Sequence, residues 1–116
     1  MPGPEPLDGD QLLLALSALA NPHRLRIVAA LARGSTYVSQ LARDLRLSRP
    51  LLHMHLQRLE AAGLVEGHIE VSDDGKAMRY YAVTDFAIRL DAQAIAEATR
   101  TLTQSEPTGR RKGKQS

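Results

Sequence analysis

The sequence predicts a mainly α-helical α+β domain, with four successive helices, a two-stranded β-hairpin and a closing helix, in the order α-α-α-α-β-β-α. Three observations predict it. Apolar residues recur at helical spacing from Leu12 to about Leu59. The segment "RLSRP" leaves almost no room between the third and fourth helices, so they must turn sharply on one another. An Asp-Asp-Gly turn at residues 73–75 then separates two runs rich in aromatic and β-branched residues, as in a hairpin. The 116-residue chain has no cysteine, no tryptophan, one phenylalanine and three tyrosines, so Leu, Ala, Val and Ile must build its single modest core.

Residues 1–9 hold three prolines and two glycines and offer no periodic apolar face, so they read as disordered. From Asp10, "DQLLLALSALA" places apolar residues at 12, 13, 16, 19 and 20, a helical stripe with Leu14 on its flank. "NPHRLRIVAALARG" opens with Asn21 as N-cap and Pro22 in the first turn, closes on Gly34, and offers Leu25, Ile27, Val28 and Leu31 as its buried side. "YVSQLARDL" is the third helix. The fourth begins after Ser48, a capping hydroxyl followed by Arg49 and Pro50, so this proline starts a helix and breaks none.

On a helical wheel Leu52, Leu56 and Leu59 share one face of the fourth helix with His55 at its edge, while Pro50, His53, Met54 and Gln57 cluster opposite. That second face belongs to solvent or to a partner. Gly63 ends the helix, and residues 64–71 and 77–83 form the strands. A last helix, from residue 84 or 85 to about 103, carries Ile88, Ile95 and Leu102 at seven-residue spacing with small alanines between. Residues 104–116 are polar and basic and read as a disordered tail, which leaves residues 10–103 as the folded domain.

The net charge of +2 conceals a segregation. Residues 22–59 carry seven arginines against one aspartate, whereas residues 1–21 hold three acids and no base. A basic block on central helices is a footprint for phosphate, and equally the pattern of a solvated arginine-rich face. The absence of cysteine excludes disulfides, thiolate metal sites and thiol redox sensing. The start of the chain is acidic and rich in Pro and Gly, unlike a signal peptide, and no apolar run approaches the length of a membrane span, so a cytoplasmic protein is expected. No nucleophile stands at plausible spacing from a base and no Gly-rich phosphate loop is present, which argues against an enzyme.

Three runs together, "ALANPHRLRIVAAL", "VSQLARDLRLSRPLLHMHLQRLEAAGLV" and "RYYAV", resemble the ArsR family of bacterial repressors over about residues 12–102. The resemblance implies a winged helix-turn-helix fold and DNA binding. A helix of this kind fits the major groove of B-DNA, and its N-terminal half presents side chains to base edges. Here that half offers Ser48, Arg49, Leu51, His53 and Met54, with Gln57 one turn on. Arg49 can donate to guanine or phosphate, His53 and Gln57 can bond base edges, and Met54 can touch a thymine methyl. Thr36 and Ser39 supply hydroxyls for phosphate, and Lys76 and Arg79 stand on the wing near a flanking groove. The family pattern has a small hydroxyl residue where this chain has His53, and a polar or basic residue at Met54, so no operator sequence transfers.

Many relatives hold metal through a Cys-Val-Cys segment at the start of the third helix. The matching positions here are Tyr37, Val38 and Ser39, which replace no soft thiolate. A second family site uses Asp and His on the last helix, where this chain has Asp91 and Glu97 without a histidine. His53 and His55 lie about 200° apart around a helix and cannot share an ion. No metal or other cofactor is therefore expected. His55 stands where the family pattern also has a histidine, in a structural role.

Two readings of function follow. In the first, the chain is a homodimeric repressor, pairing through Leu13, Leu14, Leu16, Ile88, Ile95 and Leu102 and reading an inverted-repeat operator in double-stranded DNA, with a signal that is neither thiol nor metal. In the second, it is a winged-helix adaptor that binds proteins and reads no DNA. RNA binding would favour more aromatic platforms than this chain has.

Overall fold

A computed structural model of the chain describes residues 7–103. The expected disordered tail, 104–116, lies outside the described residues, as do residues 1–6 of the N-terminal segment. The elements are α1 (Gly9–Leu19), α2 (Pro22–Ala32), β1 (Thr36–Tyr37), α3 (Val38–Leu45), α4 (Arg49–Ala61), β2 (Val65–Val71), β3 (Ala77–Val83) and α5 (Ala92–Thr99). This is the expected α+β winged arrangement with one short strand added. Residues cluster into two compact units, Leu14–Ala87 and a smaller one formed by the chain before Leu14 together with Ile88 onward.

In the larger unit, α2 begins where Asn21 Oδ1 accepts the amides of His23 and Arg24 at 2.8 and 3.3 Å. Its buried residues are Ile27 and Leu31. Leu25, expected beside them, is instead 55% exposed. Residues two positions apart on a helix differ by about 200°, so a face built on Ile27 and Leu31 turns Leu25 outward. In the segment of α1 within this unit the buried positions are Ala15 and Ala18, with Leu14 exposed and Leu16 half-buried. Within this segment the small residues are thus the buried ones, while Leu12, earlier in the predicted stripe, is buried as expected.

The two-residue strand β1 pairs antiparallel with β3, Thr36 against Tyr81 and Tyr37 against Tyr80, giving the sheet order β1-β3-β2. β2 and β3 form the hairpin in a register that sets Gly67 opposite Tyr81. Tyr81 is fully buried, and a Cβ at Gly67 would stand 2.8 Å from its ring carbons. Glycine is thus required there for the strand to accept the ring. At the tip, Asp74 accepts from the Lys76 amide and from the Ser72 hydroxyl, and Gly75 takes the left-handed conformation that closes the turn.

In the smaller unit, Asp8 and Gln11 cap α1 reciprocally, the Asp8 carboxylate accepting the Gln11 amide at 2.8 Å and Gln11 Oε1 accepting the Asp8 amide at 3.1 Å. This capping starts the helix at Gly9, inside the segment expected to be irregular. The Gly9 amide donates to Thr101 Oγ1 at 2.7 Å, and a Cβ at Gly9 would collide with the Ala98 carbonyl oxygen.

The last helix is shorter than its composition predicts. After β3 the Thr84 hydroxyl donates to the carbonyls of Gly63 and Leu64, and its amide to Leu64, which keeps the chain extended. Residues 84–90 are not helical. Asp91 is the N-cap that starts α5, its carboxyl held below the usual range chiefly by the Ala94 amide. Ile88 and Leu102 therefore fall outside the helix, and the predicted seven-residue stripe does not form. Among the described residues no helix is long and apolar enough to cross a membrane.

Candidate nucleic-acid interface

The short connection between α3 and α4 depends on two caps. The α3 helix ends at Arg46, a non-glycine residue with φ 57°, and the Leu47 amide reaches back 3.0 Å to the Ala42 carbonyl. This is the left-handed helix stop that glycine usually supplies, here carried by an arginine at a steric cost of about 1 kcal/mol. Ser48 then caps α4 by accepting the Leu51 amide at 3.3 Å, with Pro50 in the first turn. Gly63, also left-handed, stops α4, and the Leu64 amide returns 3.0 Å to the Leu59 carbonyl.

Between those caps α4 has two opposed faces. Leu52, Leu56 and Leu59 are fully buried, each contributing about 1.5–3 kcal/mol of transfer free energy. Ser48, Arg49, Leu51, His53, Met54 and Gln57 are exposed. The structure thus brings six of the ten sequence-predicted DNA-contacting residues onto one helix and its cap. With L-residues projecting toward the N-terminus, that surface can be offered to a groove without disturbing the packing behind it.

The other four are disposed differently. Thr36 lies in β1 and Ser39 in the first turn of α3, both half-buried. Lys76 is exposed at the hairpin tip beside Asp73 and Asp74. Arg79 turns its guanidinium toward Tyr81, 5.7 Å from the ring centroid, with a 3.3 Å hydrogen bond to the hydroxyl. That hydroxyl in turn donates to Glu60 of α4 at 3.2 Å. Arg79 is itself exposed and at the same time joins the linkage between wing and helix.

Of the proposed dimer residues, Leu13, Leu14, Ile95 and Leu102 are exposed, and Leu16 and Ile88 half-buried. Tyr37, at the place of a family thiolate, packs edge-on against Tyr80 with ring centroids 4.0 Å apart. The hydrogen bond between these tyrosines is the main reason the Tyr80 phenol is pushed up to about 12. Stacked on Tyr80 from β2 is His68, which pairs with Glu70 at 3.1 Å. Among the described residues no three His, Asp or Glu side chains converge as metal ligands would.

Sequence reasoning misses the packing behind α4. His55 is 3% exposed, and its Nδ1 lies 3.1 Å from the Arg24 guanidinium, whose Nε donates to the Ala18 carbonyl at 2.6 Å. Burial, then Arg24, then His23 hold the imidazole below its ordinary 6.5. An arginine in the first turn of α2 and a histidine thirty-one residues later carry no local signal of their pairing.

Residues 21–67 match the family model described as bacterial regulatory protein, arsR family. The chain is 37% identical over 78 residues to an uncharacterised HTH-type transcriptional regulator of Methanocaldococcus jannaschii, covering 67% of this chain and 81% of that protein. It is 49% identical over 51 residues to an HTH-type transcriptional regulator of Mycobacterium tuberculosis, covering 44% of this chain and spanning about half, 48%, of that relative. Among solved structures, it resembles a homodimeric winged helix-turn-helix DNA-binding domain from Mycobacterium bovis, described as a possible ArsR-family regulator, with a TM-score of 0.58 and 32% identity over 64% of each chain.

Proposed function

Because the chain belongs to the ArsR family of bacterial regulatory proteins, we propose that it is a dimeric, sequence-specific repressor that reads an inverted-repeat operator with α4 and answers to a signal other than metal. At the coarser level, it is a transcriptional regulator with a winged helix-turn-helix DNA-binding domain, and not an enzyme.

The observation that carries the reading is the division of α4 into a fully buried leucine face and an exposed face of His53, Met54 and Gln57. Arg49 and Ser48 at its start serve phosphate or a guanine edge, and Leu51 supports them with apolar contact. Thr36, Ser39 and Lys76 are auxiliary backbone contacts, and Arg79 contributes positive potential from its place on Tyr81. Exposed leucines on α1, with Ile95 and Leu102, supply the dimer surface, in keeping with the homodimeric M. bovis neighbour. The absence of cysteine removes the soft-metal chemistry of thiolates, which supports a signal other than a thiolate-bound metal.

Selection of duplexes from a random-sequence pool by the full chain tests this. An enriched inverted repeat with half-sites about one helical turn apart is expected. Enrichment of nothing beyond input, with a folded protein, would replace the repressor with the protein-binding adaptor. Sedimentation at micromolar concentration should show a dimer that Ile95→Asp dissociates.

A further inference from the structure

We propose that Arg24 and His55 are positioning residues for the DNA-reading helix, forming a latch that ties α4 to the last turn of α1 and opens when His55 gains a proton. The inference rests on the assignment of α4 as the reader. Its basis is a chain of two bonds through the larger unit. Arg24 Nε donates to the carbonyl of Ala18, one of the C-terminal carbonyls that α1 cannot satisfy internally, and a terminal nitrogen of the same guanidinium reaches His55 Nδ1.

An arginine side chain only donates, so Nδ1 must accept, and the ring proton must then sit on Nε2. That Nε2 is buried and has no hydrogen-bond partner among the described residues. A histidine with an unsatisfied N–H in the core is a poor choice for packing, since an apolar side chain would carry no such cost. The bond to Arg24 gives it a use: it fixes the rotation of α4 about its axis. His55 lies next to Met54 and two residues from His53, so any rotation that frees it moves the reading face as well.

Protonation of His55 converts the accepting Nδ1 into a donor that faces a donor, and sets two cations against each other. Among the described residues the charged or titratable groups acting on the ring are Arg24 and His23, both from α2, with the His23 ring centroid 5.4 Å away and no carboxylate to offset them. The latched form therefore holds fewer protons than the released form. Latching is complete above the ordinary imidazole value and is lost as pH falls below it.

The test measures affinity of the full chain for a duplex that it enriches from a random pool at neutral pH. Anisotropy titrations from pH 8 to 5 at constant ionic strength are paired with far-ultraviolet circular dichroism on the same samples. Wild-type affinity should fall by up to about tenfold per pH unit below roughly 6.5, the limit for one linked proton, with the helical signal retained. His55→Asn, whose Oδ1 stands where Nδ1 accepts and does not titrate, should bind the duplex without that slope. A flat wild-type profile in the folded protein, or an unchanged slope in His55→Asn, would overturn the latch. Should that variant fail to fold, imidazole nitrogen shifts of the wild type decide: the Nε2–H tautomer at neutral pH supports the latch, and the Nδ1–H tautomer or an imidazolium refutes it. Failure to enrich any duplex defeats the DNA-reading assignment itself, an outcome distinct from an enriched duplex bound independently of pH.

Discussion

The helix-turn-helix and the hairpin that follows it differ in what they expose. Residues 38–61 carry Arg43, Arg46, Arg49 and Arg58 against Asp44 and Glu60, whereas the hairpin carries Glu66, Glu70, Asp73 and Asp74 against Lys76 and Arg79. The helices keep a dry face of leucines beneath their polar surface. The outer part of β2 instead leaves Ile69 and Val71 exposed, at 65% and 71%. Net positive charge thus resides on the helices, and the hairpin is held to them through Tyr81 and its bond to Glu60. Charge and packing have been divided between the two regions.

The sharpest way to break this division is to remove its core. Leu56→Ala, at a fully buried position, should cost about 2–5 kcal/mol in denaturant unfolding. A loss below about 1 kcal/mol would mean that α4 does not pack as described. On the hairpin side, Gly67→Ala forces a methyl against the Tyr81 ring and should cost about 1–3 kcal/mol, again read by unfolding. Arg46→Gly should act in the opposite sense, stabilising the fold by about 1 kcal/mol through relief of the left-handed arginine. If it also reduces the salt dependence of DNA binding, Arg46 serves phosphate as well as the turn.

Smallest in free energy, yet most informative on charge, is Arg49→Ala beside Lys76→Ala. Removing a side chain that neutralises one phosphate should lower the slope of log affinity against log salt by about 1. The division predicts the full decrement for Arg49 and a smaller one for Lys76, whose neighbours Asp73 and Asp74 already oppose phosphate. Equal decrements would show that the wing tip grips DNA as firmly as the helix does.

Which of these features can be read in the sequence follows from how local each is. Ser48 and Pro50 mark the start of α4 within three residues, and the opposed faces of Leu52, Leu56, Leu59 and His53, Met54, Gln57 follow from helical periodicity alone. The hairpin turn is equally local. β1 is not, because two residues have no periodicity and Thr36 and Tyr37 become a strand only by pairing with Tyr81 and Tyr80. Sequence misplaces the start of α5 because both Asp85 and Asp91 can cap a helix, and the choice is made by Thr84, whose hydroxyl is held by carbonyls about twenty residues earlier. Composition misassigns Leu25, since its neighbours define a face on which it does not lie. For the candidate site, the exposed residues of α4 are legible, while the role of Arg79 and the pairing of Arg24 with His55 depend on tertiary structure.

In the proposed repressor the exposed face of α4 reads base sequence while the rest of the surface supplies undifferentiated charge. The decisive measurement titrates His53→Ala, Met54→Ala and Gln57→Ala against the enriched duplex and a scrambled one at two salt concentrations. These variants should stay folded and lose about 1–3 kcal/mol of discrimination at individual base positions, with little change in salt slope. Wild-type discrimination in all three folded variants would contradict base reading by α4 and place the reader elsewhere.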